Sequence, residues 1–366
     1  MTVERDIAGF ALPFAAATAA AVLLVTPYST FSYISASLAL TLSILFTLLL
    51  VCLQNERKAV TEPLIFGAAV SCGLLTGLTE GFISISDADH IGTISRFAAG
   101  FAERLKEATD SIPFADRETS GIIKALITGD RSNLSFHTEE SFRASGASHI
   151  LALSGFHLGI IYGIVRKAAG CIGNSPGAEA VKAISTIIIC GFYTLATGAG
   201  ASIVRAFIFI IVREISRLTH RHTSLKHTLL TSLTVHLAIY PGDVSGIGFQ
   251  LSYAAMAGIA FIFPYLKELW PDDGNFNPLR KVWESAALSI SCQITTGPLA
   301  YICFGTFPKY FLLSNLIALP LTGAIIPISI LTVAMYTAGI CPGILIRITE
   351  AAVQVMCRSL DIISGM

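Results

Sequence analysis

Residues 310–338 read YFLLSNLIALPLTGAIIPISILTVAMYTA, a run without a single Asp, Glu, Lys or Arg. Because about 20 apolar residues in a helix cross the hydrocarbon core of a bilayer, this run is long enough to span a membrane. Comparable runs recur along most of the 366 residues. Hydrophobic residues make up 53% of the chain and charged residues only 13%, against roughly a quarter charged in a soluble domain. The sequence therefore predicts an all-α, polytopic helical membrane protein and excludes a water-soluble globule.

Hydropathy predicts about ten transmembrane helices. Their approximate bounds are 7–26, 31–53, 63–84, 147–165, 178–197, 202–216, 228–240, 247–265, 282–304 and 310–338. Pro320 is expected to break the last one, because proline lacks the backbone N–H that a helix interior needs. Residues 344–366 form an amphipathic helix instead, which we expect on the membrane interface or against a wet cavity. Its polar stripe comprises Arg347, Glu350, Gln354, Arg358 and Asp361.

The chain divides into three predicted parts. Residues 1–84 carry the N-terminal transmembrane helices, and residues 85–114 form a short extracytoplasmic segment. Residues 115–366 form the main membrane domain. Within the short segment, residues 91–110 place apolar and charged side chains on opposite faces of a helix. We expect this amphipathic helix to lie on the bilayer surface.

Basic residues fall on alternate short loops, and this asymmetry predicts the orientation. The basic loops contain Arg57 and Lys58, Arg166 and Lys167, Arg217, Arg221 and Lys226, and Lys267, Arg280 and Lys281. The intervening loops at 27–30, 198–201 and 241–246 have no Lys or Arg. The N-terminus is therefore predicted to be cytoplasmic, and residues 85–146 to lie outside.

Composition and motifs limit the kinds of binding and catalysis that the chain can perform. The formal net charge is zero, so the chain has no global basic field and must use local sites for any contact with nucleic acid. Its eight cysteines include no CxxC pair, and no metal site or cofactor is predicted. No GxxxxGK[ST] motif occurs, so the chain is not expected to be its own nucleotide-driven motor.

Four polar or glycine-rich clusters fall at membrane depth, each at the predicted outer end of its span. Clusters that are distant in sequence then meet on one membrane face, as the mouth of a pore or cavity requires. The candidate pore-lining residues are Asp130, Arg131, His149, Ser154, His157, Ser202, Arg205, Gln250 and Asn315.

Structural roles compete with this interpretation. Gly155, Gly159 and Gly163 have the GxxxGxxxG spacing that lets helices approach closely, and Ser154 and His157 would share the opposite face of that helix.

The other candidates have structural alternatives as well. His149 and His157 could hydrogen-bond neighbouring helices, and Arg205 could extend to the membrane surface instead of reading phosphate. Asp130 and Arg131 suit a local ion pair or helix cap.

Two other classes of function stay open. An intramembrane serine hydrolase would use Ser154 as nucleophile and His157 or His149 as base. A Ser and a His one turn apart on one helix rarely align for attack, so we predict that the chain is not an enzyme. A small-solute or lipid-precursor transporter is the other alternative, although the sequence shows no inverted repeat or paired broken helices.

Several ordered motifs resemble the competence domain of the ComEC-type DNA-internalisation channel of naturally transformable bacteria. The resemblance covers about residues 115–340 and identifies 115–366 as a competence-type membrane channel domain. The motifs are Gly129-Asp130-Arg131, Ser145-Gly146 through His157, the small-residue run from Gly198 to Ala206, Gly248-Phe249-Gln250-Leu251-Ser252-Tyr253, and Ser314-Asn315-Leu316 before Pro320.

This resemblance implies passage of single-stranded DNA through the cytoplasmic (inner) membrane during transformation. The implied partners are single-stranded DNA, the lipid bilayer, DNA-receptor and helicase-like competence proteins, and a separate nuclease. Two features differ from the family pattern. About thirty residues between Ser84 and the first motif are too few for an OB-fold, and no HxHxDH motif of a metallo-beta-lactamase-like nuclease occurs.

Overall fold

The computed structural model describes residues 2–24, 39, 43, 58–83, 92–173, 175–219, 223–270, 277–305 and 307–365. It is 85% helical, and the described ranges contain no strand. The prediction of an all-α protein is confirmed.

The helices follow one another through short connections. They are α1 (Thr2–Leu24), α2 (Lys58–Ile83), α3 (Gly92–Ser111), α4 (Arg117–Thr128), α5 (Phe136–Ala144), α6 (Ser148–Leu151), α7 (Gly155–Ala168), α8 (Pro176–Ala196), α9 (Ala201–Leu218), α10 (Leu225–Ile239), α11 (Ile247–Ala257), α12 (Phe263–Glu268), α13 (Pro278–Phe304), α14 (Phe311–Thr337) and α15 (Gly343–Ser364). A π-helical turn, Gly258–Ile262, joins α11 to α12, and a 3₁₀ turn, Pro241–Ser245, precedes α11.

Four of the described helices are long and apolar enough to cross a membrane. They are α8, α13, α14 and the continuous helix Ile247–Glu268, which α11 and α12 form together. Shorter apolar helical segments occupy Ala8–Leu23 and Ile65–Leu78. The chain is therefore a helical membrane protein, while the count of about ten spans is not confirmed. The predicted span 31–53 lies outside the described residues, apart from residues 39 and 43.

The largest hydrophobic core lies where α4, α5 and α6 meet α14 and α15. Leu126 of α4, Phe142 of α5, Ile326 of α14 and Met356 of α15 are almost fully buried in it. The amphipathic C-terminal helix thus uses its apolar face for packing. On its polar stripe, Glu350 accepts a hydrogen bond from the backbone N–H of Asp116 at 2.9 Å, which ties α15 to the start of α4.

A second core joins α1 and α2 to α10 and α11. Phe14, Ala69, Leu237 and Phe249 are buried in it.

Glycines on α2 allow α1 to approach closely. A Cβ added at Gly73 would lie 2.9 Å from the Cβ of Ala17, and one at Gly77 would lie 2.6 Å from the Cβ of Ala21. A side chain at either position would push the two backbones apart.

Helix α3 is amphipathic as predicted, and it packs along other helices. The ring of Phe101 meets that of Phe192 on α8 with centroids 5.3 Å apart. On the other face, the Nζ of Lys124 on α4 pairs with Asp110 at 2.7 Å. The phenylalanine Phe97 remains 70% exposed, so α3 also presents apolar surface outward.

Two predicted helix boundaries were wrong. Helix α14 runs without a break through Pro320 and Pro327. A missing N–H is tolerated in a membrane helix when neighbouring helices pack around it. Conversely, the predicted span 147–165 is divided, because Ala152 and Ser154 adopt extended backbone conformations between α6 and α7.

Candidate functional site

Arg205 lies inside the protein, on α9. Its side chain is only 7% exposed, so it does not extend to the membrane surface. Its Nη1 donates a hydrogen bond to the backbone carbonyl of Ser252 at 2.5 Å, while Nε has no hydrogen-bond partner. The guanidinium carbon lies 6.0 Å from the ring centroid of Phe209 and 5.9 Å from that of Tyr253. Among the described residues, no carboxylate pairs with this cation.

Three helices meet at this guanidinium. The hydroxyl of Ser252 on α11 donates to the Oγ of Ser202 on α9 at 3.0 Å. From α7, Gly155 approaches so closely that an added Cβ would lie 2.9 Å from Nη2 of Arg205. The structure therefore brings Ser202, Arg205 and Ser252 together.

The other two glycines of the GxxxGxxxG pattern behave differently. A Cβ at Gly159 or Gly163 would meet no heavy atom of the described residues within 4 Å. Of these three glycines, only Gly155 makes a close approach to another described helix, and the packing role of Gly159 and Gly163 stays a prediction.

Ser154 and His157 form the N-terminal cap of α7. The Ser154 hydroxyl accepts from the backbone N–H of Phe156 at 3.3 Å. In return, Nδ1 of His157 accepts from the backbone N–H of Ser154 at 3.3 Å and lies 3.0 Å from its hydroxyl. This is a capping box with histidine in the position usually held by Glu or Gln. The predicted common face on a continuous helix was therefore wrong, because Ser154 precedes the helix.

The same geometry bears on the hydrolase alternative. Nδ1 of His157 lies within hydrogen-bond distance of the Ser154 hydroxyl, but it also accepts from the Ser154 backbone N–H, as a helix cap requires. Among the described residues, no carboxylate pairs with His157 to orient it. His157 is 1% exposed, and its Nε2 has no hydrogen bond of standard geometry. His149, on the short helix α6, is exposed.

Asp130 and Arg131 do not pair with each other. Oδ2 of Asp130 lies 3.0 Å from Nζ of Lys106 on α3, and Oδ1 accepts from the backbone N–H of Ser132 at 3.0 Å. The hydrogen bonds from Ser132, followed by that from Lys106, lower the pKa of Asp130 from 3.8 to about 2. Arg131 donates from Nε to the carbonyl of Leu151 at 3.1 Å, which links the turn after α4 to α6.

Gln250 and Asn315 occupy different surroundings. Nε2 of Gln250 donates to the carbonyl of Val244 at 3.0 Å, fastening α11 to the turn before it. Oδ1 of Asn315 is buried without a hydrogen-bond partner. Its neighbour Ser314 donates to the carbonyl of Ser145 at 2.6 Å, so the start of α14 meets the turn before α6.

A polar chain that the sequence analysis missed lies beside Arg205. Nε2 of His236 on α10 is 2.9 Å from Oδ2 of Asp243, and its Nδ1 is 3.3 Å from the hydroxyl of Tyr253. The Tyr253 hydroxyl also donates to the carbonyl of Ser232 at 3.0 Å. The sequence could have indicated this polar chain, because His236 lies inside an apolar span and Asp243 follows it closely.

A buried acid near the other end of α9 was missed as well. Glu214 is fully buried and accepts from the Tyr162 hydroxyl of α7 at 2.6 Å. Arg166 of α7 lies 3.4 Å from Glu214 and also pairs with Glu179 of α8 at 2.7 Å. This Glu214 network joins α7, α8 and α9. The sequence could have indicated this network, because Glu214 is an acidic residue among apolar residues of a predicted span.

Within the described ranges, no group of three or more His, Cys, Asp and Glu side chains could hold a metal ion.

Comparison with known proteins assigns the family. The family model described as competence protein matches residues 126–366. ComE operon protein 3 of Bacillus subtilis (strain 168) is 23% identical over 236 residues, which cover 62% of this chain and 26% of that protein. The chain therefore corresponds to about a quarter of that relative's length. No solved structure matches the chain. Because the family match covers more than half of the sequence and includes every motif around Arg205, the chain belongs to the competence protein family.

Proposed function

We propose that this chain forms part of a conduit in the cytoplasmic membrane for one strand of DNA during natural transformation. One observation carries the proposal: where α7, α9 and α11 meet lies a buried guanidinium that pairs with no carboxylate of the described residues. The competence family match supports the proposal by placing this junction within the matched residues.

The energetics favour a functional role for this cation. A charged side chain inside a membrane protein is expensive and normally pairs with an opposite charge. Arg205 has a carbonyl and two aromatic rings instead, and its Nε stays available. A phosphate group would supply the missing charge, because guanidinium binds phosphate through paired charge-assisted hydrogen bonds.

A small number of such contacts suits a passage. A strand must leave as readily as it enters, and a continuous basic tunnel would retain it. In this proposal Arg205 neutralises one phosphate at a time, and Ser202 offers a nearby hydroxyl. Contacts of the strand with Asp130, Arg131, His149, Ser154, His157, Gln250 and Asn315 stay predictions.

Transport also needs work from outside the chain. Each phosphate that enters a negative-inside cell is opposed by about 2.3 kcal/mol per 100 mV. We propose a helicase-like partner that pulls the strand from the cytoplasm, a DNA receptor that delivers it, and a separate nuclease. The proposed orientation has the N-terminus in the cytoplasm.

The test compares two arginines of the same helix. Arg205→Gln removes the buried cation, whereas Arg213→Gln removes an exposed cation whose guanidinium carbon lies 5.6 Å from the ring centroid of Tyr162. Loss of a charged hydrogen bond worth about 1.5–3 kcal/mol corresponds to roughly 10- to 100-fold. At matched membrane abundance, we expect Arg205→Gln to lower entry of labelled DNA into the cytoplasm by that factor.

In the same cells, DNA held outside the inner membrane should stay at its normal amount. Arg213→Gln should transform within about twofold of the unmodified protein, a change that corresponds to only ~0.4 kcal/mol. Normal cytoplasmic entry in Arg205→Gln, or equal losses in both variants, would contradict the proposed contact.

A further inference from the structure

We infer that His236 and Asp243 are positioning residues that fix Tyr253, and through it Arg205, in the geometry that receives a phosphate. This inference rests on the proposed function and adds residues that act behind the contact itself. It depends on an unbroken series of side-chain contacts across the 3₁₀ turn, α10, α11 and α9.

The series begins at the surface and ends at the guanidinium. The Asp243 side chain is 39% exposed, whereas that of His236 is fully buried. The Asp243 carboxylate orients the imidazole through Nε2 at 2.9 Å. Nε2 then carries a hydrogen, and the oriented ring places Nδ1 3.3 Å from the Tyr253 hydroxyl. An acid that fixes the ring orientation of a histidine is a recurrent arrangement in functional sites.

Tyr253 transmits this constraint to Arg205. Its hydroxyl donates to the Ser232 carbonyl and contacts Nδ1 of His236, and its ring lies against Phe249 with centroids 4.5 Å apart and the planes tilted by 44°. The face of the same ring lies near the guanidinium, whose Nη1 is bound to the carbonyl of the preceding residue, Ser252. Rotation of the Tyr253 side chain would therefore move the aromatic ring that lies beside the cation.

The spacing between Asp243 and Arg205 explains why a carboxylate is present but not paired. An acid in direct contact would neutralise the guanidinium and compete with phosphate. With two side chains between them, Asp243 orients the site while Arg205 keeps its Nε donor for a ligand. In this arrangement, the role of Asp243 is to position the other side chains.

The experiment measures how salt affects binding of a labelled single-stranded oligonucleotide to the full chain in lipid nanodiscs. Each neutralised phosphate on a single strand contributes about 0.7 to the slope of log affinity against log salt concentration. Arg205→Gln should lower the slope by roughly that amount. We expect His236→Leu and Tyr253→Phe to lower it similarly and to weaken binding about tenfold at low salt, the effect of one lost contact.

Conservative and matched variants distinguish a loss of positioning from a general loss of folded protein. Asp243→Asn keeps an oxygen that can accept from Nε2 and should retain the slope, whereas Asp243→Ala should lose it. Tyr193→Phe is the matched control, because the Tyr193 hydroxyl donates to the Ile127 carbonyl at 2.7 Å away from this site. Tyr193→Phe is expected to reduce the amount of folded protein and leave the slope of the folded fraction unchanged.

Each outcome is decisive. A normal slope in Arg205→Gln would refute the phosphate contact of the proposed function. If Arg205→Gln lowers the slope but His236→Leu and Tyr253→Phe do not, the phosphate contact stands and the positioning inference is wrong. A loss of binding capacity without a change of slope in these two variants would likewise overturn the inference, since it indicates only fewer folded molecules.

Discussion

At the scale of single residues, Asp130 shows how a charged sequence motif serves local structure. Its carboxylate lies in the turn that follows α4, bound by the backbone of Ser132 and by Lys106 of α3. Both partners favour the ionised form, which is why its pKa is lowered to about 2. The resulting contact fastens the N-terminal end of the competence domain to the amphipathic helix.

Asp130→Asn should destabilise the protein by about 1–2 kcal/mol at neutral pH, the scale of a shift of nearly two pKa units at a partly screened site. A lowered folded-state pKa contributes stability that is present above the unfolded value of 3.8 and lost as the pH falls towards about 2. Denaturant unfolding in micelles should thus show a large difference at pH 7 that shrinks between pH 4 and pH 2.

Glu103→Gln is the control for Asp130. Glu103 also pairs with Lys106, at 2.8 Å, but its side chain is 65% exposed. Surface pairs contribute little, so its loss should change stability by less than about 0.5 kcal/mol. An Asp130→Asn effect that stays constant down to pH 2 would refute the electrostatic explanation.

At the scale of helices, the approach of α7 to α9 depends on a single glycine. At Gly155 an added Cβ would lie 3.1 Å from the Cβ of Ala206 and closer still to Arg205. At Gly159, one turn further along α7, an added Cβ would meet no described atom within 4 Å. The same substitution at these two positions therefore has opposite effects.

Gly155→Ala should lower the thermal unfolding midpoint, because α7 must move away from α9. Overpacking of this kind typically costs about 1–3 kcal/mol. Gly159→Ala should raise the midpoint slightly, because alanine favours a helix interior by about 0.5–1 kcal/mol over glycine. Midpoints of both variants in the same detergent would show the contrast. A lower midpoint for Gly159→Ala would mean that a neighbour closes on that face.

Sequence patterns predicted the helices better than their ends. Long apolar runs revealed α8, α11, α13 and α14, because bilayer thickness sets their length. The sequence analysis did not predict the break before Gly155. Ala152 and Ser154 adopt extended conformations there to form a helix cap, and no proline marks the position.

The site was predictable only in part, for a physical reason. Ordered motifs pointed to Ser202 and Arg205. In contrast, the contacts of His236 with Tyr253 and Asp243 depend on how α10 packs against α11, which hydropathy does not specify. The cap formed by His157 similarly required knowing where α7 begins.

At the scale of the whole molecule, two native cysteines test the proposed orientation. Cys171 and Cys303 are both exposed. By the distribution of basic loops, Cys171 faces the cytoplasm and Cys303 faces outward. A membrane-impermeant maleimide should label Cys303 in intact spheroplasts and reach Cys171 only after lysis. Cys303→Ser and Cys171→Ser identify each labelled site, and the opposite pattern would invert the proposed topology.

The Glu214 network has a mechanical consequence at this scale. One carboxylate contacts α7 through Tyr162 and Arg166, and Arg166 continues to Glu179 of α8. Separating any two of these three helices would leave a charged side chain of the network unpaired in the protein interior, where water cannot solvate it. We therefore expect the trio to move as one rigid block, so that any dilation of the proposed passage takes place between this block and its neighbours and leaves the interior of the block closed.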